Sequence, residues 1–168
     1  SDQKDANHVW DTLFLEGDGL RNFDRTRVKP KRRRRINHAL EDLQIRIIDR
    51  IEPVLSDMNE INVSMAERTS HGHPATYYTT QRDRWEGFMK SEFAIPHREW
   101  WGAFHQDRLV AYYYLHIIAR TMHISAAKSN TDFLHLSPND GILFTFLEHH
   151  ARAGDCDRAI YGDWSPDV

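Results

Sequence analysis

Cysteine is almost missing: one residue, Cys156, in a chain of 168. A lone thiol rules out an internal disulfide framework and cannot build a Cys-rich zinc site, so redox chemistry is a poor fit. Long apolar runs are missing too. None approaches the roughly 20 residues that a membrane span needs, and the N-terminus has no signal-like apolar core. These absences lead us to expect a soluble, cytoplasmic protein. Internal repeats, low-complexity tracts and a Gly-x-Ser-x-Gly nucleophile elbow are likewise lacking.

What is present suits one ordinary core, with 40% hydrophobic and 28% charged residues. The expected organisation is a frayed polar segment over 1–8 and a single domain over 9–168. The formal net charge of -3 hides an uneven distribution. Between Arg21 and Arg35 the chain carries Arg25, Arg27, Lys29, Lys31, Arg32, Arg33 and Arg34 against a single acid, Asp24. Such a block can meet RNA or another polyanion. It can equally be the solvated face of a helix, because Ile36, Ala39, Leu40 and Leu43 follow Pro30 at helical spacing.

Val9 to Leu15 reads as a strand, broken by Gly17 and Gly19. A helix is expected from Pro30 to Glu41, a strand from Gln44 to Ile48, and an amphipathic helix over Glu52 to Arg68 with Val54, Leu55, Met58, Ile61 and Met65 on one stripe. His71 and His73 flank Gly72 in a turn and invite a metal reading, but zinc needs three or four ligands and no others stand at a familiar spacing. A further helix covers Thr80 to Ser91 with Trp85, Phe88 and Met89 inward. A helix-turn-helix over Pro30 to Arg68 is opposed by the strand at Gln44 to Ile48.

The most informative stretch is Glu99 to Trp164. Three strands are expected at Trp100 to His105, Leu109 to Ile118 and Met122 to Ala127, joined by turns at Gln106-Asp107 and Ala119-Arg120. In the long strand, alternation places Leu109, Ala111, Tyr113, Leu115 and Ile117 on one face and Val110, Tyr112, Tyr114, His116 and Ile118 on the other. Both faces are largely apolar, so helices should cover both and the fold class is mixed α/β. Ser137 then offers an N-cap, Pro138 the first helical position and Asp140 an acidic relative of the capping box. Ile142, Leu143, Phe146 and Leu147 make the buried stripe of that helix, and Gly154 ends it. His149 and His150 suit the C-terminal end of the helix dipole better than a catalytic role. A strand from Arg158 to Tyr161 completes a strand–helix–strand crossover whose strands should be parallel.

Several short motifs now line up: Thr12 to Leu15 (Thr-Leu-Phe-Leu), Arg33 to Ile36, Ile45 to Ile48 (Ile-Arg-Ile-Ile), the hairpin from Gly102 to Tyr113, and Tyr161-Gly162-Asp163. Their order resembles the GNAT-fold acyltransferases of the Fem-type branch, which includes peptidoglycan-bridge aminoacyltransferases. The resemblance implies a GNAT-like mixed sheet with an antiparallel meander, and transfer of an acyl or aminoacyl group to an amine with no permanently bound cofactor. The co-substrate would be acyl-CoA or aminoacyl-tRNA. Acetyl-CoA-dependent members carry a glycine loop for pyrophosphate before the crossover helix. Here Lys128 to Leu136 has no glycine, as in the Fem-type branch. That branch also adds strands beyond the point where Val168 falls and commonly carries two such domains.

In the resembling fold the two parallel strands splay, and the donor carbonyl reaches an unpaired backbone N–H between them. Ligands of open α/β sheets gather near such strand ends. The implied catalytic candidates are Asp163 as base or acceptor contact, Tyr161 as proton donor, and His123. Ser125, Ala126, Ala127, Lys128 and Asn130 are the implied donor contacts. Each has a structural alternative: Tyr161 as a core tyrosine, Asp163 as a turn cap, Lys128 as a solvated cation. A non-catalytic module of the same fold, binding RNA or a polyanion through segment 21–35, is the competing reading. A dimer is compatible with either.

Overall fold

The computed structural model describes residues 11–69 and 72–164, with 11–14 and 162–164 described as backbone. A six-stranded sheet in the order β1-β6-β5-β4-β3-β2 forms the centre. Its strands are β1 (Asp11–Glu16), β2 (Gln44–Ile47), β3 (Arg98–His105), β4 (Arg108–Ile118), β5 (Thr121–Ser129) and β6 (Arg158–Trp164). All neighbours are antiparallel except β5 and β6. Helices α1 (Asp18–Arg21), α2 (Pro30–Asp42) and α6 (Pro138–Ala153) pack through Leu20, Ala39, Ile142 and Phe146 against one face. On the other face lie α3 (Leu55–Arg68), α4 (Ala75–Thr80) and α5 (Arg82–Phe93), packed through Met58, Ile61, Tyr78, Trp85 and Met89. The mixed α/β sheet with helices on both faces therefore stands as expected.

Sequence alternation fails at one end of β4, for a local reason. Ala103 pairs with Ala111 but Phe104 pairs with Leu109, so Val110 is the extra residue of a bulge. Leu109 then joins Tyr112 in the α3–α5 core, while Val110 joins Ala111, Tyr113 and Leu115 in the α6 core. The assignment of these two residues by strict period-two counting is thus reversed. Both hairpin turns take positive φ at both central residues, Gln106 and Asp107 in one, Ala119 and Arg120 in the other, which matches the twist of the flanking strands. No glycine helps at Ala119-Arg120. Instead Arg120 donates through Nε to Asp157 at 2.7 Å and through Nη2 to Asp157 and the Gly154 carbonyl, fastening the turn to the α6–β6 connection.

Three further expectations shift. The helix expected over Thr80 to Ser91 is α5, which starts at Arg82 because the separate short helix α4 ends at Thr80, and Phe88 is 54% exposed rather than inward. Ser137 precedes α6 but makes no side-chain cap, because it also ends the short 3-10 helix Thr131–Leu136 and sits at φ 55. Asp140 correspondingly turns to α2 instead of back to Ser137. Among the described residues, no helix is long and apolar enough to cross a membrane.

The C-terminal end of α6 is held by an ion cluster centred on a buried histidine. His150, 1% exposed, faces Asp155 from Nδ1 at 3.0 Å and Glu99 of β3 from Nε2 at 3.1 Å. An imidazole between two carboxylates must donate from both nitrogens, so it is the imidazolium. Burial alone would lower its pKa, but the bonds to Glu99 and Asp155 outweigh it and hold His150 above its ordinary value. Burial opposes both carboxylates as well, and the same bonds hold Glu99 and Asp155 below theirs. The sign follows from linkage: stability from His150 is complete below pH 6.5, the ordinary imidazole value, and is lost as pH rises through its raised value. The carboxylates lose their part as pH falls below 4.5 for Glu99 and 3.8 for Asp155. Urea midpoints measured from pH 6 to 9 should decline in the wild type and stay flatter in His150→Gln; parallel curves would exclude this role for His150.

Candidate active site

The sheet opens at one place. β5 and β6 pair at Thr121 with Arg158, Met122 with Ala159 and His123 with Ile160, and no further. Beyond, β6 stays with β1, pairing Asp163 with Thr12, while β5 stays with β4 as far as Ser129 opposite Ala111. A bulge accounts for the divergence. Ala126 opposes Tyr114 but Ile124 opposes Leu115, leaving Ser125 without a partner on β4. An extra residue bends and twists a strand, and this one falls two positions past the last β5–β6 pair. From Ile124 to Ser129 the edge of β5 that faces β6 has no strand partner, so its backbone groups line an open wedge.

The bulge is anchored through a relay. Arg98, paired with Glu92 at 2.6 Å, donates through Nε to His116 Nε2 at 2.8 Å. Guanidinium can only donate, so His116 accepts there and, when neutral, carries its proton on Nδ1, which lies 2.9 Å from Ser125 Oγ. Burial first, and then the Arg98 charge, lower the His116 pKa and keep it neutral.

On the α6 side of the wedge lies a cavity of about 540 Å³. Phe23, Ile36, Leu143 and Phe144 form apolar walls, Arg27, Lys29 and Arg32 a basic rim, and Tyr161 of β6 reaches it from the sheet. Asp140, in the first turn of α6 and nearly buried, pairs with Arg32 and lies 3.8 Å from Arg35, so α2 is tied to the start of α6. The same turn carries Gly141, where a Cβ would stand 2.9 Å from Ala39 Cβ of α2. Burial, then the neighbouring Tyr161 phenol, push the Tyr113 hydroxyl above the ordinary phenol range, so it stays protonated.

On the opposite side is a smaller pocket of about 260 Å³, walled by Tyr77, Tyr78, Trp85, Phe88, Tyr112 and Tyr114 and floored by Ala126 and Lys128 of β5. The two cavities flank the wedge from the two faces of the sheet.

No protein-family model and no curated protein matches the sequence. Solved structures do match in three dimensions. FemX superposes with a TM-score of 0.67 at 12% identity, over 93% of this chain and 54% of its own. The C-terminal domain of an Agrobacterium fabrum protein described as a lysylphosphatidylglycerol synthetase gives 0.62 at 11%, over 92% and 46%. L-PGS from Bacillus licheniformis gives 0.60 at 11%, over 94% and 46%. The chain has the GNAT fold. It spans about half the length of these structures.

Within this GNAT sheet, the residues expected at the site are divided between its two faces. Tyr161 lines the α6-side cavity, whereas Ala126 and Lys128 lie in the aromatic pocket. Ala127 packs into the α6-side core. His123 closes the last parallel pair, opposite His116. Asn130 is 6% exposed and caps the 3-10 helix by accepting from the Asp132 N–H at 3.0 Å, with Ser64 beside it. The side chain of Asp163 lies outside the described residues, as does His71. His73 stacks on Tyr77 with ring centres 4.1 Å apart.

Part of the basic block is committed to contacts within the fold. Arg32 and Arg35 pair with Asp140, and Arg33 donates to the Thr26 and Val28 carbonyls. Among the described residues, the donors that converge as for a metal are His150, Asp155 and Cys156, within 4.8 Å of one another. His150 and Asp155 already satisfy each other there, and burial and the Asp155 charge push the Cys156 thiol up to about 12, a poor state for a ligand that must lose its proton. Sequence reasoning missed the Arg98–His116–Ser125 relay and Asp140 as an arginine partner; the alternation of β4 placed His116 on the face of Tyr112 and Tyr114 but said nothing of its partners.

Because Ala39 Cβ cannot rotate aside, Gly141→Ala must push α2 from α6. We expect a loss of about 1–3 kcal/mol, the usual range for overpacking, read as a lower urea midpoint at an unchanged m-value. A midpoint equal to wild type would show that this contact does not set the helix spacing.

Proposed function

We propose that the protein is an acyl- or aminoacyltransferase that moves an acyl group from a thioester or an aminoacyl-tRNA to an amine. The observation that supports this is the wedge, where a bulged parallel strand offers backbone groups with no strand partner. An acyl carbonyl seated there would have its developing oxyanion stabilised by a β5 N–H, fixed in place before reaction begins. The amine attacks in its neutral form, a C–N bond forms, and the C–S or C–O bond to the donor breaks. The amine proton leaves to water or to Asp163, and Tyr161 protonates the departing thiol or hydroxyl. No covalent enzyme intermediate is needed.

The α6-side cavity is the proposed donor site. Its apolar walls suit an acyl group, and Arg27 and Lys29 at its rim suit the phosphates that both donor types carry. Binding of a polyanion by segment 21–35 without chemistry draws less support, because Arg32, Arg33 and Arg35 are engaged within the fold.

Folded protein should transfer label from acyl-CoA or charged tRNA to an amine panel. Tyr161→Phe should lower kcat about 10²- to 10⁴-fold, the range for a general acid, at little change in KM. Deleting Ser125 should abolish transfer while the circular dichroism of the sheet persists. Absence of transfer from every donor, or an undiminished rate after the deletion, would remove this reading.

A further inference from the structure

The aromatic pocket contains a cation with no counter-ion among the described residues. Lys128 is half-buried on its floor, makes no hydrogen bond or ion pair to any described residue, and has its pKa lowered by burial alone. No Asp or Glu is among the described residues that line the pocket. An ammonium withdrawn from water without a partner is costly, and the cost is relieved if a ligand brings the opposite charge.

A second donor stands beside it. Tyr112 is the registered cross-strand partner of Lys128, so both side chains rise from the same face of the sheet. Tyr112 is 2% exposed; its hydroxyl accepts from Asn62 Nδ2 at 2.7 Å, and the hydroxyl proton has no acceptor among the described residues. Burial holds it protonated, above the ordinary phenol range. An ammonium and a hydroxyl carried on the same face by registered residues of adjacent strands can each donate to one oxygen of a carboxylate. The surrounding rings of Tyr77, Tyr78, Trp85 and Tyr114 offer stacking surfaces for an apolar or aromatic group. At about 260 Å³ the space falls just under the roughly 300–1,000 Å³ of pockets for drug-sized ligands, a scale suited to one amino acid. Its floor continues to Ala126, next to the bulge at Ser125, so a ligand held there reaches the wedge from the face opposite Tyr161.

We propose that this pocket is the acceptor subsite and that the acceptor is an α-amino acid with an aromatic or large apolar side chain, its carboxylate held by Lys128 and Tyr112 and its amine directed at the wedge. The assignment rests on the transferase reading and deepens it. A polyamine acceptor is disfavoured by the same lysine, through like charge.

Ligand binding can be followed by tryptophan fluorescence, since Trp85 lines the pocket, with L-phenylalanine, 3-phenylpropionate, phenethylamine and spermidine as probes and no acyl donor present. Phenylalanine and 3-phenylpropionate should bind, with phenethylamine and spermidine at least tenfold weaker. Lys128→Met, with an unchanged Tm, should weaken the two carboxylates at least tenfold, and Lys128→Arg should restore part of the loss. In transfer assays, kcat/KM for phenylalanine should exceed that for phenethylamine at least tenfold. Equal binding of phenethylamine and 3-phenylpropionate, no effect of Lys128→Met, or no binding of any probe by folded wild type would overturn the assignment even if other amines are acylated. Carboxylate binding that depends on Lys128, together with no transfer from any donor, would instead remove the transferase reading and leave the carboxylate pocket standing.

Discussion

One inserted residue governs the architecture of the site. Two parallel strands that begin in register can part only if one of them bends, and Ser125 supplies the bend two positions after the last shared pair. β6 is meanwhile held by β1, and β5 by β4, so neither strand can follow the other. The resulting wedge leaves backbone groups without a strand partner in the middle of the sheet. Unpaired backbone in such a place is expensive unless something uses it, and this links the geometry to binding.

Charge is distributed so that the wedge keeps its shape. Arg98, backed by Glu92, orients His116, and His116 holds the bulge. Arg32 and Arg35 close on Asp140 and fix the start of α6 against α2. His150, between Glu99 and Asp155, fixes the other end of α6 to β3. Each is a buried or half-buried ion with its partners in place, the arrangement that makes burial of charge tolerable. Lys128 departs from this pattern. Its lack of a partner among the described residues, in a pocket of aromatic rings at the floor of the wedge, separates it from the structural ions and suits it to a ligand.

Most of the fold was legible in the sequence, because burial on both faces and short turns leave periodic traces. The apolar character of both faces of β4 announced cover on both sides, and Gly154, at φ 65, ended α6 as expected. The errors sit where one residue carries two duties or where a strand gains one. Ser137 could not cap α6 because it also closes the preceding 3-10 helix. Strict alternation misplaced Leu109 and Val110 because a bulge is invisible to period-two counting. The site was legible in part: Tyr161, Ala126 and Lys128 border the wedge, yet on opposite faces, and Asn130 is spent on a cap.

By itself the sequence determined the order of strands and helices, the parallel crossover and the apolar faces, since these depend on local periodicity, capping residues and turn chemistry along contiguous segments. Only the tertiary structure decided that β5 leaves β6 after His123, that Asp140 meets Arg32, and that Lys128 faces rings drawn from α4, α5 and β4. Those features are set by strand register and by packing between segments as far apart as Arg32 and Asp140. A shift of one residue in register turns a side chain to the other face, and no local pattern records it.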